Sequence, residues 1–135
     1  MTDTTTASAP PRINVARLLG IGFAIWFLGT IALRLIGQYL FRPESPIYIA
    51  ALLLVSFPLM LLLVRRLCTD AGVRNEQLPM AAIVLMMPTF VLDTLSTVFF
   101  PIFYPNIDER AAGLYGGWII WCIGGGLLGV ILRRR

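Results

Sequence analysis

The sequence predicts an all-α fold class: an integral membrane four-helix bundle with both the N- and C-termini in the cytoplasm. Hydrophobic residues make up 58% of the 135 residues and charged residues only 13%, whereas soluble domains carry about 25% charged residues. Four apolar stretches are each long enough to cross a bilayer, for which a helix needs about 20 residues. Arginines are concentrated on one side of the resulting layout, as expected for cytoplasmic loops.

A short polar tail precedes the first apolar stretch. Residues 1–12 read MTDTTTASAPPR, with small polar side chains and two adjacent prolines, a composition typical of disordered segments. The charged start, short apolar run and small-residue cleavage site of a secretory signal do not occur there. We therefore predict a disordered cytoplasmic tail over residues 1–12 and a single four-helix transmembrane domain over residues 13–135.

Prolines, charges and capping residues mark the ends of the four apolar stretches. The predicted helices span residues 15–41, 47–64, 78–100 and 111–132. The RPESP segment at 42–46 ends the first helix, because two prolines and a charge pair oppose its continuation. Residues 65–77 are predicted as a polar loop, and Pro88 is a candidate kink in the third helix. Asn106 or Asp108 is expected to cap the fourth helix.

The distribution of arginine predicts the orientation. All eleven basic residues are arginine. Those near the termini or in the 65–77 loop are Arg12, Arg17, Arg65, Arg66, Arg74, Arg133, Arg134 and Arg135. Only Arg42 and Arg110 lie in the other two loops, while Arg34 lies inside the first helix. The tyrosines fall at the opposite interface, where aromatic belts are expected, so both signals place the termini in the cytoplasm.

Missing residue types exclude several kinds of chemistry. The chain has no histidine and no lysine, so it lacks the usual haem ligand and general base and any Schiff-base lysine. Its two cysteines are Cys68, in the predicted 65–77 loop, and Cys122, inside the fourth helix; they are too few for a zinc site and are expected to stay unpaired. We predict no enzyme activity, no metal, no cofactor and no nucleic-acid partner.

Two polar stripes interrupt the apolar helices. Thr30, Arg34 and Gln38 are four residues apart on the first helix and share a face. The stripe on the third helix consists of Thr89, Asp93, Ser96 and Thr97. An unpaired Arg or Asp near the bilayer centre costs about 2.5–3.5 kcal/mol, so we predict that Arg34 and Asp93 form an ion pair that joins these helices. Gln38, Ser96 and Thr97 would complete its hydrogen bonds.

The role of this predicted polar cluster is left open by the sequence. It is either a structural contact that fixes the register of two helices or a proton or substrate site, because ionisable groups inside membranes are often functional. The charged residues of the two outer loops, Arg42, Glu44, Asp108, Glu109 and Arg110, form either a cap over the pair or a solvated rim, and the rim is the favoured interpretation.

The fourth helix is rich in glycine. Gly113 and Gly117 have a G-x-x-x-G spacing, and so do Gly125 and Gly129, which permits close approach between membrane helices. Packing within the bundle is the favoured interpretation, and a dimer interface is the alternative. The candidates for the facing surface on the first helix are Gly20, Gly22 and Gly29.

Three stretches carry a family resemblance. They are LGTIALRLIGQYLF at 28–41, VLDTLSTVFFPIFYPN at 91–106 and GGWIIWCIGGGLLG at 116–129. The motif residues are Arg34, Gly37, Gln38, Tyr39, Phe41, Pro101, Pro105 and Asn106. Over nearly the whole chain after residue 12, these features resemble the small four-helix bacterial membrane proteins called domain of unknown function 5367. The resemblance implies a multi-pass protein of the bacterial cytoplasmic (inner) membrane without an assigned activity.

Short loops and a glycine-rich helix favour a non-enzymatic accessory or structural component of a membrane assembly. Its expected partners are the lipid bilayer and either a larger membrane protein or a second copy in a homodimer. The alternative is a small ion- or proton-coupled transporter or channel that uses Asp93 and Arg34. Small multidrug transporters resemble the chain in size and helix number only, since their first helix carries a glutamate. A groove between kinked helices could also take an acyl chain.

Overall fold

The computed structural model describes residues 12–132, which form four long helices joined by short connections. The helices are α1 (Val15–Leu40), α2 (Pro46–Asp70), α3 (Leu78–Val98), the short α4 (Phe100–Phe103) and α5 (Ala112–Ile131). Single 3-10 turns at Asn75–Gln77 and Glu109–Ala111 lead into α3 and α5. No strand occurs in the described part of the chain, and the predicted all-α four-helix fold class is confirmed.

Each of the four long helices is long and apolar enough to cross a membrane. Their outer faces carry large exposed apolar side chains such as Leu28, Ile47, Leu54 and Val98, which suit contact with lipid tails. The chain is therefore a multi-pass membrane protein. Which side of the membrane the termini face stays a prediction, and the predicted tail lies outside the described residues except for Arg12.

The second helix is longer than the sequence predicted. α2 continues past residue 64 to Asp70, because the polar residues beyond Val64 stabilise further helical turns. Arg66 Nε donates to Asp70 Oδ2 at 3.2 Å, one turn later, and the Thr69 hydroxyl donates to the Arg65 carbonyl at 2.8 Å. The assignment of Cys68 to a loop was therefore wrong: it lies in α2 and is fully buried.

The long helices pack in the spatial order α1, α3, α5, α2. α1 lies along α3, α3 packs on α5, and α5 packs on α2, while α3 also touches α2. The predicted contact between the first and third helices is thus confirmed. α1 and α2, although consecutive in sequence, have almost no direct contact. They flank an opening whose floor is formed by α3 and α5.

Close packing of α5 on α2 depends on two glycines. A Cβ added at Gly125 would lie 2.7 Å from the Phe57 carbonyl oxygen, and one at Gly129 would lie 2.6 Å from the Leu61 carbonyl oxygen. Gly113 and Gly117, the other G-x-x-x-G pair, have no such neighbour within 4 Å. Of the two spacings, only the one near the end of α5 serves packing within this chain.

The glycine contact of α1 is with α3 rather than with α5. A Cβ at Gly22 would overlap the Leu85 carbonyl oxygen, whereas one at Gly20 or Gly29 would meet no atom within 4 Å. The expectation that these three glycines face the glycine-rich helix was therefore wrong. The spatial order of the helices is the physical reason, because α3 separates α1 from α5.

Two buried clusters form the ends of the bundle. One surrounds Leu18, Cys68, Leu78 and Leu85, near the beginning of α1 and α3. The second contains aromatic side chains at the opposite end, namely Phe41, Phe100, Tyr104 and Tyr115, with Leu33, Ile107 and Ala111. Between the two packed ends, the middle of the bundle contains buried polar groups and a cavity.

Candidate functional site

The Arg34 side chain binds the backbone of the outer turn. Its Nε donates to the Phe103 carbonyl at 2.7 Å and its Nη2 donates to the Ile102 carbonyl at 3.0 Å. The last carbonyls of a helix lack partners within that helix, and α4 ends at Phe103. Arg34 therefore caps α4 and holds the outer turn against α1.

The predicted Arg34–Asp93 ion pair was wrong. Asp93 Oδ1 instead accepts hydrogen bonds from Trp26 Nε1 at 3.1 Å and from the Tyr115 hydroxyl at 2.7 Å. The reason is depth in the bundle. Trp26 of α1 reaches the level of Asp93, and Arg34 is eight residues, or about 12 Å, further along the same helix. At that level the carbonyls of α4 are the acceptors that the guanidinium meets.

Asp93 is a buried carboxyl group without a cationic neighbour. It is 4% exposed, and no ion pair with it occurs within residues 12–132. Its Oδ2 atom accepts no hydrogen bond from the described residues, since both donors bind Oδ1. An ionised carboxylate in an apolar environment is costly unless it is compensated. The group is therefore incompletely satisfied by the residues around it.

A chain of hydroxyl groups leads from the outer end of the bundle to this carboxyl. The Tyr104 and Tyr115 hydroxyl oxygens are 2.9 Å apart. Because the single hydroxyl proton of Tyr115 is donated to Asp93, the Tyr104 hydroxyl must donate to Tyr115. Both tyrosines are 1% exposed. The chain fixes the orientation of the Asp93 carboxyl and connects α3 with α5.

Gln38, like Arg34, forms hydrogen bonds with the outer turn and not with Asp93. Its Oε1 accepts from Asn106 Nδ2 at 2.6 Å, and the same amide nitrogen donates to the Leu33 carbonyl at 2.9 Å. Gln38 Nε2 donates to the Leu35 carbonyl of its own helix. Gln38 therefore holds the turn after α4, so one end of the predicted first-helix stripe serves the outer turn.

The hydroxyl groups predicted around the ion pair bind backbone instead. Ser96 donates to the Leu92 carbonyl at 3.0 Å, and Thr97 donates to the Asp93 carbonyl at 2.7 Å. Neither hydroxyl reaches the Asp93 carboxylate. Their expected role as partners of an Arg34–Asp93 pair is wrong, because a helical Ser or Thr readily satisfies itself on the carbonyl one turn back.

A cavity of about 330 Å³ lies at the centre of the bundle. Its walls come from α1 and α2, with Ile25, Ile36, Met60 and Leu63 among the apolar side chains that line them. Its polar and aromatic lining residues are Trp26, Thr30, Thr89, Asp93, Tyr104, Tyr115 and Trp118. The volume is within the usual range for small-molecule sites, about 300–1,000 Å³, and such sites combine apolar walls with a few placed polar groups.

Two buried polar atoms in the lining residues have no hydrogen-bond partner among the described residues. They are the Thr30 hydroxyl oxygen and the Trp118 indole nitrogen, and both residues line the central cavity. Buried polar groups are paired in the great majority of cases. Asp93, Thr30 and Trp118 are thus three residues of the cavity lining that each have a polar atom without a partner among the described residues.

A smaller second cavity lies on the other side of Asp93. It has a volume of about 250 Å³ and is lined by residues of α3 and α5, including Phe90, Thr94 and Gly116. Asp93 lines this cavity as well as the central one. The carboxyl-bearing residue therefore lies between two spaces that face different sides of the α3–α5 pair.

The charged residues of the outer loops form a solvated rim. Arg110 Nη2 lies 2.7 Å from Asp108 Oδ2 and 3.2 Å from Glu44 Oε1, and all three side chains are well exposed. The Arg110 hydrogen bonds hold the pKa of Asp108 at about 2, below its usual value. Asp108 also accepts from the Arg110 amide, so it caps the 3-10 turn Glu109–Ala111 that leads into α5. The helix α5 itself begins after Ala111 without a side-chain cap, so neither Asn106 nor Asp108 caps it directly.

No group of three or more Cys, Asp or Glu side chains that could hold a metal ion occurs in the part of the chain that the structure describes. Cys68 and Cys122 are both free and buried. Arg42 lies over the Tyr48 ring, 5.1 Å from its centroid, at the exposed edge of α2.

Sequence reasoning missed the aromatic partners of Asp93. Trp26 is one helical turn before Thr30, so extending the first-helix stripe by four residues would have included it. Tyr115 was assigned to the interfacial belt together with Tyr39, which is 61% exposed, yet Tyr115 is almost completely buried. Residue type alone does not separate an interfacial tyrosine from one that donates to a buried carboxyl.

One comparison with known proteins gives a match. The model described as "Family of unknown function (DUF5367)" matches residues 40–135, which is more than half of the chain. The motif residues Phe41, Pro101, Pro105 and Asn106 lie inside the match. The other motif residues, Arg34, Gly37, Gln38 and Tyr39, precede it, as does all of α1 except Leu40. No curated protein and no solved structure matches the chain.

Proposed function

Because the chain belongs to the family of unknown function DUF5367, whose description assigns no activity, we propose a function from the central cavity. The protein is a non-enzymatic membrane component that binds a largely apolar molecule from the bilayer. One observation carries the proposal: the walls of the cavity are α1 and α2, two membrane-crossing helices that hardly touch each other. A lipid-like molecule can pass sideways between such helices.

Binding is a better fit to the cavity than catalysis. Among the described residues that line it, Asp93 is the one with a carboxyl group, and aspartyl chemistry requires two facing carboxyls. The Ser96 and Thr97 hydroxyls are engaged with backbone carbonyls. These features support a role in holding a molecule.

The wider setting proposed for the protein comes from the sequence. We infer that it acts as an accessory component in the bacterial cytoplasmic membrane, with both termini in the cytoplasm and with a larger membrane protein or a second copy as partner. The arginine distribution supports the orientation. Copurification from native membranes, with mass spectrometry of the bound proteins, tests the partner.

Occupancy of the cavity is tested with a matched pair of glycine substitutions. Gly29 lines the cavity and Gly20 does not, and an added Cβ meets no atom within 4 Å at either position. Gly29→Phe should fill the space between α1 and α2, while Gly20→Phe adds the same side chain elsewhere on the same helix. After mild-detergent purification, native mass spectrometry should detect a bound apolar molecule on wild type and Gly20→Phe but not on Gly29→Phe.

Two outcomes of this experiment contradict the proposal. The first is that wild-type protein carries no more bound lipid than an unrelated membrane protein of similar size, which would mean that the cavity holds no specific molecule. Equal occupancy of Gly29→Phe and Gly20→Phe places the bound molecule outside the cavity. Thermal melting of both variants establishes that each is folded before occupancy is compared.

A small proton- or ion-coupled transporter is the second candidate. The observation in its favour is that Asp93 is a buried ionisable group that lines two cavities, since ionisable groups inside membranes often belong to proton or ion pathways. Arg34 would contribute only through the outer turn, because it binds the Ile102 and Phe103 carbonyls. Proton-coupled flux in liposomes that Asp93→Asn abolishes would favour this candidate over the binding role.

A further inference from the structure

We propose that the molecule bound in the central cavity is a lipophilic amine in its cationic form, with its ammonium group at Asp93. This inference rests on the proposed binding function, because it names the chemical class of the ligand for the same cavity. Three features of the cavity lining support it: the charge of Asp93, oxygen atoms without a partner and a group of aromatic rings.

The first observation is that no cationic side chain pairs with Asp93 among the described residues. Asp93 is buried, and both groups that donate to it, the Trp26 indole and the Tyr115 hydroxyl, are neutral. Arg34, the arginine closest to it along α1, is bound to two backbone carbonyls. A buried charge is tolerated when an opposite charge compensates it. A cationic ligand supplies that compensation.

The second observation is a set of free acceptors. Asp93 Oδ2 and the Thr30 hydroxyl oxygen accept no hydrogen bond from any described residue. A protonated primary amine has three N–H donors and no acceptor, so it can donate to Asp93 Oδ2, and Thr30 lines the same cavity. A fatty acid brings only a negative charge, which Asp93 repels. An alcohol has one donor and brings no charge.

The third observation is the aromatic lining near the carboxyl. Trp26, Tyr104, Tyr115 and Trp118 all line the cavity. The faces of such rings attract cations because of their negative quadrupole. A carboxylate among aromatic rings, with apolar walls beyond, matches a molecule that has a cationic head and an apolar body.

The test compares three probes that share one twelve-carbon chain and differ in headgroup. Dodecylamine, dodecanol and dodecanoate are titrated at pH 7 against the full chain in lipid nanodiscs, with empty nanodiscs as the partition reference. Hydrogen bonds to charged groups are worth about 1.5–3 kcal/mol, so dodecylamine should bind wild type at least about tenfold more tightly than dodecanol. Dodecanoate should bind most weakly of the three.

Three conservative variants identify the residues on which the preference for dodecylamine depends. Asp93→Asn removes the charge and keeps an oxygen that can accept from Trp26 and Tyr115, so the preference for dodecylamine should fall to about that for dodecanol. Asp70→Asn removes an exposed carboxylate at the end of α2 and should leave the preference unchanged. Thr30→Val removes the second acceptor and should weaken dodecylamine more than dodecanol.

The outcomes separate this inference from the function on which it rests. Equal binding of dodecylamine and dodecanol by wild type overturns the cation while leaving an apolar ligand in place. No binding of any probe above empty nanodiscs overturns both. A preference that survives in Asp93→Asn shows that another group attracts the cation. If Asp93→Asn does not fold, the wild-type series and Thr30→Val still decide.

Discussion

Gly22→Ala should destabilise the bundle because it forces α1 away from α3. A Cβ at Gly22 would overlap the Leu85 carbonyl oxygen and lie 3.2 Å from Pro88 Cδ. Backbone atoms cannot rotate aside as a side chain can, so the helices themselves must separate. Overpacking of this kind typically costs about 1–3 kcal/mol.

Gly20→Ala is the matched control for this prediction. It lies on the same helix, and its added Cβ would meet nothing within 4 Å. Both substitutions gain the same roughly 0.5–1 kcal/mol from replacing glycine in a helix interior. That gain cancels when the two variants are compared, so their difference in unfolding free energy isolates the clash and should be about 1–3 kcal/mol.

Reversible unfolding in mixed dodecyl maltoside and dodecyl sulfate micelles, followed by far-ultraviolet circular dichroism, measures this difference. Gly22→Ala should unfold at a lower fraction of dodecyl sulfate than Gly20→Ala. Variants that agree within about 0.5 kcal/mol, the usual spread of neutral surface changes, would refute the close approach of α1 to the α3 backbone.

Three further predictions concern the hydrogen bonds and the rim. Tyr115→Phe removes one of the two donors to Asp93 and the acceptor of the Tyr104 hydroxyl, and it should cost about 1–3 kcal/mol, more than Tyr104→Phe in the same unfolding assay; equal losses would contradict the order of donors. Arg34→Gln should accelerate amide hydrogen exchange in α4, because the capping bonds to its carbonyls are lost, and unchanged exchange would contradict that capping role. The carboxyl carbon of Asp108, followed by nuclear magnetic resonance, should titrate near pH 2. Since its pKa is lowered on folding, the stabilisation from Asp108 is present above about pH 4 and is lost as the pH falls towards 2. Arg110→Gln should return the Asp108 titration towards pH 4, and a titration already near pH 4 in wild type would argue against the ion pair.

The apolar runs predicted the four helices because burial in lipid requires length and low charge, which can both be read from one segment at a time. The end of α2 was misplaced for the same reason. Arg66 and Asp70 look like loop residues in isolation, yet an i,i+4 pair of opposite charges stabilises a helix. Polarity indicates where the hydrocarbon ends, and it does not indicate where the helix ends.

The polar cluster was only partly predictable because it depends on relations between helices. The sequence identified Asp93 and Arg34 as groups that need compensation. Arg34 finds its partners in the carbonyls of α4, while Asp93 accepts from two neutral donors at one oxygen only. The sequence does not show how α1 and α3 are shifted relative to each other along the membrane normal. It also does not show that a short helix, α4, provides carbonyl groups without partners. A stripe of polar residues shows which face of a helix they share. It does not show how deep in the bundle that face lies or which helix packs against it.

The spatial order of the helices has a consequence for biosynthesis. α1 and α2 leave the ribosome first and are joined by a short turn, yet the main packing surface for α2 is α5, the last helix to be made. Phe57 and Leu61 meet their glycine partners only after residue 129 has been synthesised. Until then α2 is retained in the bilayer by its hydrophobicity and its smaller contact with α3, so it acquires its main packing partner only at the end of translation.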